Sequence, residues 1–320
     1  MINIAFMASD AVAVPAMRAL LESKEVRLKC VVSNPDRPKG RGGKTSPNSA
    51  AMFALENNIE LLRPEKSPSA ECVEWLKSNE VEGIVVMAYG KILRDEILSY
   101  GSLPCLNLHG SLLPKYRGAS PIETALALGE AKTGVSLMRV VKKMDSGDVC
   151  AKIEIEISPR ETGLSLREKI AQDAAKLLLE NLSDWINSRL NFTPQDDALA
   201  TYARKLTKAD MYLDFRKSAR ELDLRIRAFG CGIVKIGADF VKIGEAYAEK
   251  GGANHEAGTV LECSKDGVLI ACSEGVLRAV KLQAPCAKML GVGDFLNGYK
   301  GFSRGLVLES AENEPLLKNL

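Results

Sequence analysis

The first half of the chain alternates short, almost continuously apolar runs with amphipathic segments. Residues 3–7, 28–32, 60–62, 83–88 and 104–108 read as buried strands, and residues 15–22, 48–56 and 69–77 as the helices between them. Strands separated by single helices form βαβ units of a mostly parallel sheet, and unbroken apolar strands fit a sheet covered on both faces. Ser120-Pro121-Ile122-Glu123 predicts a helix start, with a Ser cap, Pro in the first turn and Glu at the capping-box position. The helix it opens covers residues 121–128. Residues 135–140 and 149–157 read as further strands. Residues 164–185 read as one long helix with Leu166, Ile170, Ala174, Leu177, Leu178 and Leu182 on a single face.

From residue 186 to 203 the pattern weakens into a polar stretch with a proline and two aspartates, which reads as a linker. Residues 219–229 then predict a basic helix. The runs VKIG, FVKIG, GTVLEC, GVLIAC and GVLRAVKL follow, spaced by glycine, as in a small β-barrel. The expected fold is α/β: a Rossmann-like, mostly parallel sheet domain over residues 1–188, a linker over 189–205, and a smaller OB-like β-barrel domain over 206–320.

Length agrees with two domains, since 320 residues exceed a single domain of about 150. A 46% hydrophobic, 26% charged composition excludes a disordered or collagen-like chain. The net charge of +2 excludes a global basic footprint for nucleic acid. Charge is nonetheless clustered. Residues 204–227 hold eight Lys/Arg against four Asp/Glu, and residues 35–44 hold four against one in a glycine-rich setting. Either cluster could meet phosphates, the plain alternative being a solvated surface. Eight cysteines, none in a C-x-x-C pair and several inside apolar runs, read as reduced thiols of a cytoplasmic protein. With only His109 and His255, no Cys/His cluster for a metal is visible. No targeting segment or membrane span is expected.

The turn after the first strand, Ala8-Ser9-Asp10, lacks the glycine fingerprints of dinucleotide and ATP sites, which disfavours a dehydrogenase. The dense chemistry lies in residues 107–121, NLHGSLLPKYRGASP, leaving the carboxyl end of a strand, where open α/β sheets bind ligands. Asn107 and His109 are two apart and point to one side of the extended chain. Downstream, Lys143-Met144-Asp145-Ser146-Gly147-Asp148 offers two acids in a turn between strands. The alternative for His109 is a structural hydrogen bond at a strand end. Asp148 is the alternative to Asp145 as the working acid.

The run NLHGSLLPKYRGASPI, followed by TGVSLM and MDSGD, resembles the folate-dependent formyltransferases. The resemblance extends over essentially the whole chain. Residues 35–42 (PDRPKGRG) resemble an inserted loop of the members that act on tRNA, Val86-Met87-Ala88-Tyr89-Gly90 a strand end beside the folate, and Tyr202–Leu206 with Ile226–Phe229 the entry to their C-terminal domain. It implies direct attack of an amine on the formyl carbon of 10-formyltetrahydrofolate, without a metal and without an acyl-enzyme. The implied acceptor is the α-amino group of initiator methionyl-tRNA, and the implied state a monomer. Asn107 would hold the oxyanion, His109 exchange the proton, and Asp145 hold the imidazole or relay the proton. Ser111, Leu112, Leu113 and Pro114, with Met87 and Tyr89, would line the folate; simple packing of Leu112 and Leu113 is the alternative. Arg37, Lys39, Arg41 and Lys44 would read the tRNA end from a mobile loop, with Arg41 as the wedge. Arg204 and Lys205 open a basic cluster that would follow the tRNA backbone.

Two segments depart from the family pattern. Ala8-Ser9-Asp10 replaces a Gly-Thr-Pro turn, and Phe229–Ile233 is shorter than its counterpart and lacks tryptophan. The rival readings are a formyltransferase acting on glycinamide ribonucleotide or an amino sugar, a deformylating hydrolase, and a non-catalytic RNA-binding module.

Overall fold

The computed structural model describes residues 1–39, 44–251 and 254–318. The chain runs through β1 (Ile2–Ala8), α1 (Val14–Glu22), β2 (Val26–Val32), a hairpin of β3 (Arg37–Lys39) and β4 (Lys44–Ser46), α2 (Ser49–Glu56) and β5 (Glu60–Leu62). Next come α3 (Ala70–Ser78), β6 (Gly83–Met87), α4 (Asp95–Leu98), β7 (Leu106–His109), β8 (Arg117–Gly118), α5 (Pro121–Ala127), β9 (Lys132–Arg139) and β10 (Val149–Glu156). After α6 (Gly163–Glu180), α7 (Leu182–Ile186) and β11 (Tyr202–Ala203), the second part holds α8 (Ala219–Phe229), β12 (Gly232–Ile236), β13 (Asp239–Glu249), β14 (Val260–Ser264), β15 (Gly267–Ala271), β16 (Val276–Gln283), β17 (Leu290–Gly291), α9 (Val292–Gly298) and β18 (Leu317–Lys318).

Seven strands form one sheet in the order β10-β9-β7-β6-β1-β2-β5. The five strands from β7 to β5 are parallel, and β9 and β10 run antiparallel at one edge. Alternation along β1 explains the layering. Ile4, Phe6 and Ala8 enter the core beneath α1 and α6, whereas Ala5 and Met7 enter a second core with Cys72 and Leu76 of α3. Strand side chains alternate faces, so a wholly apolar strand needs a cover on each. The chain moves outward from β1 to β2 and β5, then returns to place β6 on the other side of β1. That reversal opens a crevice at the carboxyl ends of β1 and β6.

The second part is antiparallel, with the strand path β12-β13-β16-β15-β14 closing over α8 and α9. Three-residue capping logic works for α8, where Ser218 and Glu221 form a reciprocal capping box. It fails at α5. Ser120 makes no cap bond; its hydroxyl accepts the Leu206 N–H at 3.3 Å, and Glu123 turns to Arg167 at 2.6 Å. Tertiary partners outcompete the local cap. The predicted helix over 164–185 also divides, at Asn181, whose amide donates back to the Leu177 carbonyl at 2.8 Å.

Residues 189–205 are more than a tether. Thr193 and Val149 exchange backbone bonds of 2.9 Å, and β11 pairs in parallel with β8 while accepting β18 on its other side.

Candidate active site

β7 ends at the crevice side of the sheet and presents Asn107 and His109. Among the described residues the Asn107 carboxamide has no hydrogen-bond partner, and its residue is half-buried. His109 is buried. Its Nε2 lies 2.8 Å from the Tyr116 carbonyl. A carbonyl only accepts, so Nε2 carries a proton and donates it there. Nδ1 faces Asp145 Oδ1 at 3.8 Å, within ion-pair range but beyond a hydrogen bond. The other carboxylate oxygen, Oδ2, accepts the Gly118 N–H at 2.8 Å. Of the two acids in the turn, Asp145 is thus the one brought to the imidazole. Asp148 is placed by its carbonyl, which accepts the Arg139 N–H at 2.9 Å.

The loop from His109 to α5 is held from several directions. Ser136 Oγ donates to the Ser111 carbonyl at 2.7 Å and accepts the Leu113 N–H at 3.0 Å. Ser111 donates to the Lys115 carbonyl at 2.6 Å. Tyr116 has φ of +59° and its hydroxyl donates to Glu130 at 2.5 Å. Burial and that carboxylate push the Tyr116 phenol well above its ordinary pKa, so it remains protonated. Backbone bonds from Arg117 to Thr201 (2.8 Å) and from Ala119 to Ala203 (3.0 Å) tie the loop to the interdomain segment. Gly118 sits at φ +105°, and a Cβ there would meet the Ala203 carbonyl oxygen at 2.5 Å. Only glycine allows that approach.

Arg117 is fully buried between the two halves of this construction. It donates to Gln195 Oε1 from Nε (3.0 Å) and from a terminal nitrogen (2.9 Å), to Tyr202 OH (3.1 Å), and pairs with Asp197 at 2.7 Å. Asp197 also receives Lys143 at 2.9 Å, and these two partners hold its carboxyl below the usual range. Burial alone would lower the Arg117 pKa, but these partners outweigh it and the guanidinium stays charged.

The crevice between β1 and β6 is bridged by Ser9, whose N–H donates to the Ala88 carbonyl at 3.2 Å. Asn34 Nδ2 reaches Ser9 Oγ (2.7 Å) and the Tyr89 carbonyl (2.6 Å), joining the loops after β1, β2 and β6. Asp10 caps the following turn through Val12 N–H and takes Arg167 at 2.5 Å. The departure at residues 8–10 therefore has its own anchoring. Sequence reasoning missed Asn34 and Arg167, because neither sits in a motif.

The predicted folate residues differ in exposure: Met87 and Tyr89 lie at the end of β6, and Ser111–Pro114 follow β7 beside β9 and β10. Leu112 and Pro114 are half-buried. Met87, Tyr89, Ser111 and Leu113 are buried, Leu113 against Met138 and Val149. Cys105 is buried too, its thiol pushed up to about 12 by desolvation, so it packs as a neutral group.

The predicted tRNA residues divide. Arg37 is exposed on the β3–β4 hairpin, where the sequence suggested a loop; the backbones of Lys39 and Lys44 pair in it. Arg41 lies outside the described residues. Lys205 is exposed. Arg204 is turned inward: its side chain is 7% exposed and is held by Asp210 and by the Pro315 and Glu314 carbonyls. The cluster around it is likewise consumed internally. Arg225 and Arg227 of α8 are buried, and Asp223 pairs with both Arg227 (3.1 Å) and Arg160 (2.9 Å) across the joint with the parallel-sheet part. The expectation of a continuous phosphate-facing surface over 204–227 is corrected accordingly; Lys205, Lys208 and Arg220 are its exposed cations outside ion pairs among the described residues.

No group of three or more His, Cys, Asp or Glu among the described residues is placed to hold a metal ion. Among the described residues, no helix is long and apolar enough to cross a membrane.

Residues 2–182 match the family described as formyl transferase, and residues 205–300 match the formyl transferase C-terminal domain. A methionyl-tRNA formyltransferase of Pseudomonas paraeruginosa is 36% identical over 311 residues, covering 96% of this chain and 99% of the relative. One from Acetivibrio thermocellus is 35% identical over 302 residues, covering 93% and 97%. Among solved structures, a sugar 3N-formyl transferase, WlaRD, crystallised in the presence of dTDP and 5-N-formyl-THF, aligns with a TM-score of 0.66 at 20% identity over 90% of this chain and 99% of its own. A methionyl-tRNA formyltransferase from Clostridium thermocellum aligns with a TM-score of 0.54 at 17% identity over 78% and 94%. At those identities the structural likeness speaks for the fold.

Proposed function

The chain belongs to the formyl transferase family, and from that premise we propose that it moves the formyl group of 10-formyltetrahydrofolate onto the α-amino group of initiator methionyl-tRNA. Family membership and near full-length identity to methionyl-tRNA formyltransferases support an enzyme of folate-dependent formyl transfer. The observation that carries the chemistry is the trio formed by β7 and the turn after β9: an Asn107 carboxamide with no hydrogen-bond partner among the described residues, His109 held through Nε2 by the Tyr116 carbonyl, and Asp145 facing Nδ1.

The reaction needs no enzyme-bound acyl group. The amine nitrogen attacks the formyl carbon, and the carbonyl electrons move to oxygen. Asn107 Nδ2–H stabilises that oxyanion, a contribution of roughly 3–4 kcal/mol for one donor. His109 Nδ1 takes the proton shed by the attacking nitrogen, and Asp145 offsets the charge of the resulting imidazolium. The bond from the formyl carbon to the folate nitrogen then breaks, its electron pair stays on that nitrogen, and the nitrogen takes a proton. The half-buried Leu112–Pro114 turn after β7 would meet the flat folate rings. Buried Met87, Tyr89, Ser111 and Leu113 would act by packing behind that contact.

Residues 1–188 form the transferring unit, 189–205 the connection and 206–320 the unit that holds tRNA. Arg37, Lys39, Arg41 and Lys44 serve the acceptor end, and Lys205 the backbone. The working form is a monomer in the cytoplasm.

Purified protein with 10-formyltetrahydrofolate, offered initiator methionyl-tRNA, elongator methionyl-tRNA, glycinamide ribonucleotide and a nucleotide-linked amino sugar in parallel, tests the assignment. Transfer confined to the initiator is the expected result. Transfer confined to a small amine overturns the tRNA reading, and folate consumption with no formylated product replaces transfer by hydrolysis.

A further inference from the structure

Gln195 lies in the interdomain segment, between the two stretches that match the family. Its carboxamide joins the Arg117 side chain directly to the backbone of the Asp145 turn, beside the Asp197 bridge from Arg117 to the Lys143 side chain. Oε1 accepts two N–H groups from Arg117, at 3.0 and 2.9 Å. Nε2 donates to the Asp145 carbonyl at 2.9 Å and to the Gly147 carbonyl at 2.7 Å. A primary amide has two donor hydrogens and an oxygen with two lone pairs, so every capacity of this group is filled. Its orientation is also chemically forced, because a guanidinium cannot accept and a carbonyl cannot donate.

The turn it holds needs holding. Asp145 sits at φ +48°, a left-handed conformation that is unfavourable for a non-glycine residue. Gly147 is pressed against β9 so closely that a Cβ would meet the Arg139 carbonyl oxygen at 2.0 Å. The Asp145 carboxylate then spans from Gly118 N–H to the face of His109. Gly118 directly follows Arg117. One connected frame therefore fixes both ends of the Asp145 contact: Arg117 and its neighbour on the loop side, and Gln195 on the turn side.

We infer that Gln195 is a positioning residue for formyl transfer, fixing the Asp145 turn so that its carboxylate addresses His109 Nδ1. The inference rests on the catalytic reading of Asp145 given above. The discriminating substitution is Gln195→Glu. A carboxylate retains, and strengthens, the pairing with buried Arg117, but offers acceptors to the two carbonyls it must hold. If Gln195 served only to satisfy Arg117, this variant would work as well as the parent. Positioning predicts a kcat lower by about tenfold or more, with KM for folate and for tRNA within about twofold. In an Asp145→Ala background the same substitution is expected to cost nothing further, since the two act through one contact. Gln195→Asn, which keeps the amide and shortens its reach, is expected to give the same kcat loss and the same non-additivity, and serves where the glutamate variant does not fold. Wild-type kcat in a folded Gln195→Glu or Gln195→Asn protein, or losses that multiply with that of Asp145→Ala, overturns the inference. If Asp145→Ala itself turns over at the parental rate, the catalytic reading falls instead, and the two failures are told apart.

Discussion

Two arginine networks buried among the described residues are built in opposite ways. The network at the joint, Arg160–Asp223–Arg227 with Arg204–Asp210 and Arg225 beside it, is drawn mostly from one stretch of about 25 residues. Acids and bases alternate there, and the segment neutralises itself as it folds. The network at the loop after His109 is centred on Arg117, which has no acid among its immediate neighbours. Its partners, Gln195, Asp197 and Tyr202, lie some eighty residues downstream. The first fastens two units together. The second fastens a turn to an imidazole. A count of local charge detects the first and misassigns it to the surface; it does not detect the second at all.

The contrast makes substitutions in the two regions differ in kind, starting with the largest effect. Asn107→Ala, at the end that the Arg117 frame serves, is expected to lower kcat by about 10²–10³-fold with the unfolding midpoint retained. Single-turnover formyl transfer and a urea titration on the same protein check both halves. Asp223→Asn, in the joint, is expected to do the reverse. Removing one partner of a buried pair costs about 3 kcal/mol and leaves Arg160 and Arg227 without their shared acid, while kcat of the folded fraction is unchanged. Chemical denaturation followed at Trp75 and Trp185, both in the parallel-sheet part, together with far-ultraviolet dichroism shows whether the two parts then separate. If Asp223→Asn lowers kcat as much as it lowers stability, the division between fastening and catalysis is wrong.

Acid supplies a smaller effect. Burial alone would raise the Asp210 pKa, but hydrogen bonds from Arg204 and Thr207 outweigh it and hold it below the usual carboxylate range. A depressed folded-state pKa contributes stability above the unfolded value of about 3.9, and that stability is lost as pH falls through the folded value. Stability of the wild type is therefore expected to fall below about pH 4 more steeply than that of Asp210→Asn, read as unfolding midpoints from pH 3 to 6. Parallel curves would remove the pair from the account of the joint. The smallest expected effect belongs to exposed Lys205. Lys205→Ala should raise KM for tRNA by about two- to threefold, with a shallower salt dependence and KM for folate unchanged.

Much of the fold was legible because periodicity reports burial directly. Apolar runs located β1, β2, β5, β6 and β7, and α8 starts and stops at the predicted residues. The proposed trio could be picked out because its members lie on one strand and one conspicuous turn, which the structure brings together. What stayed hidden was whatever depends on distant partners. Ser120 has the form of a helix cap and is diverted to Leu206; Arg204 has the form of a surface cation and is taken by Asp210. Gln195 sits in a stretch whose polarity reads as linker, although its side chain is saturated by two remote segments.

The small sheet β18-β11-β8 gathers parts of the chain that are made at very different times. Leu317 of β18 pairs with Ala203, which pairs with Gly118 in the loop after His109, 199 residues earlier than Leu317. Domains emerging from the ribosome fold from the N-terminal end first. The seven-stranded sheet has all its strands once Glu156 has been synthesised, yet the loop that carries His109 toward Asp145 lacks its outer support until Tyr202 and then Leu317 arrive. A nascent chain thus acquires its folded scaffold well before the loop is braced, and the bracing is complete only once Leu317 has been made.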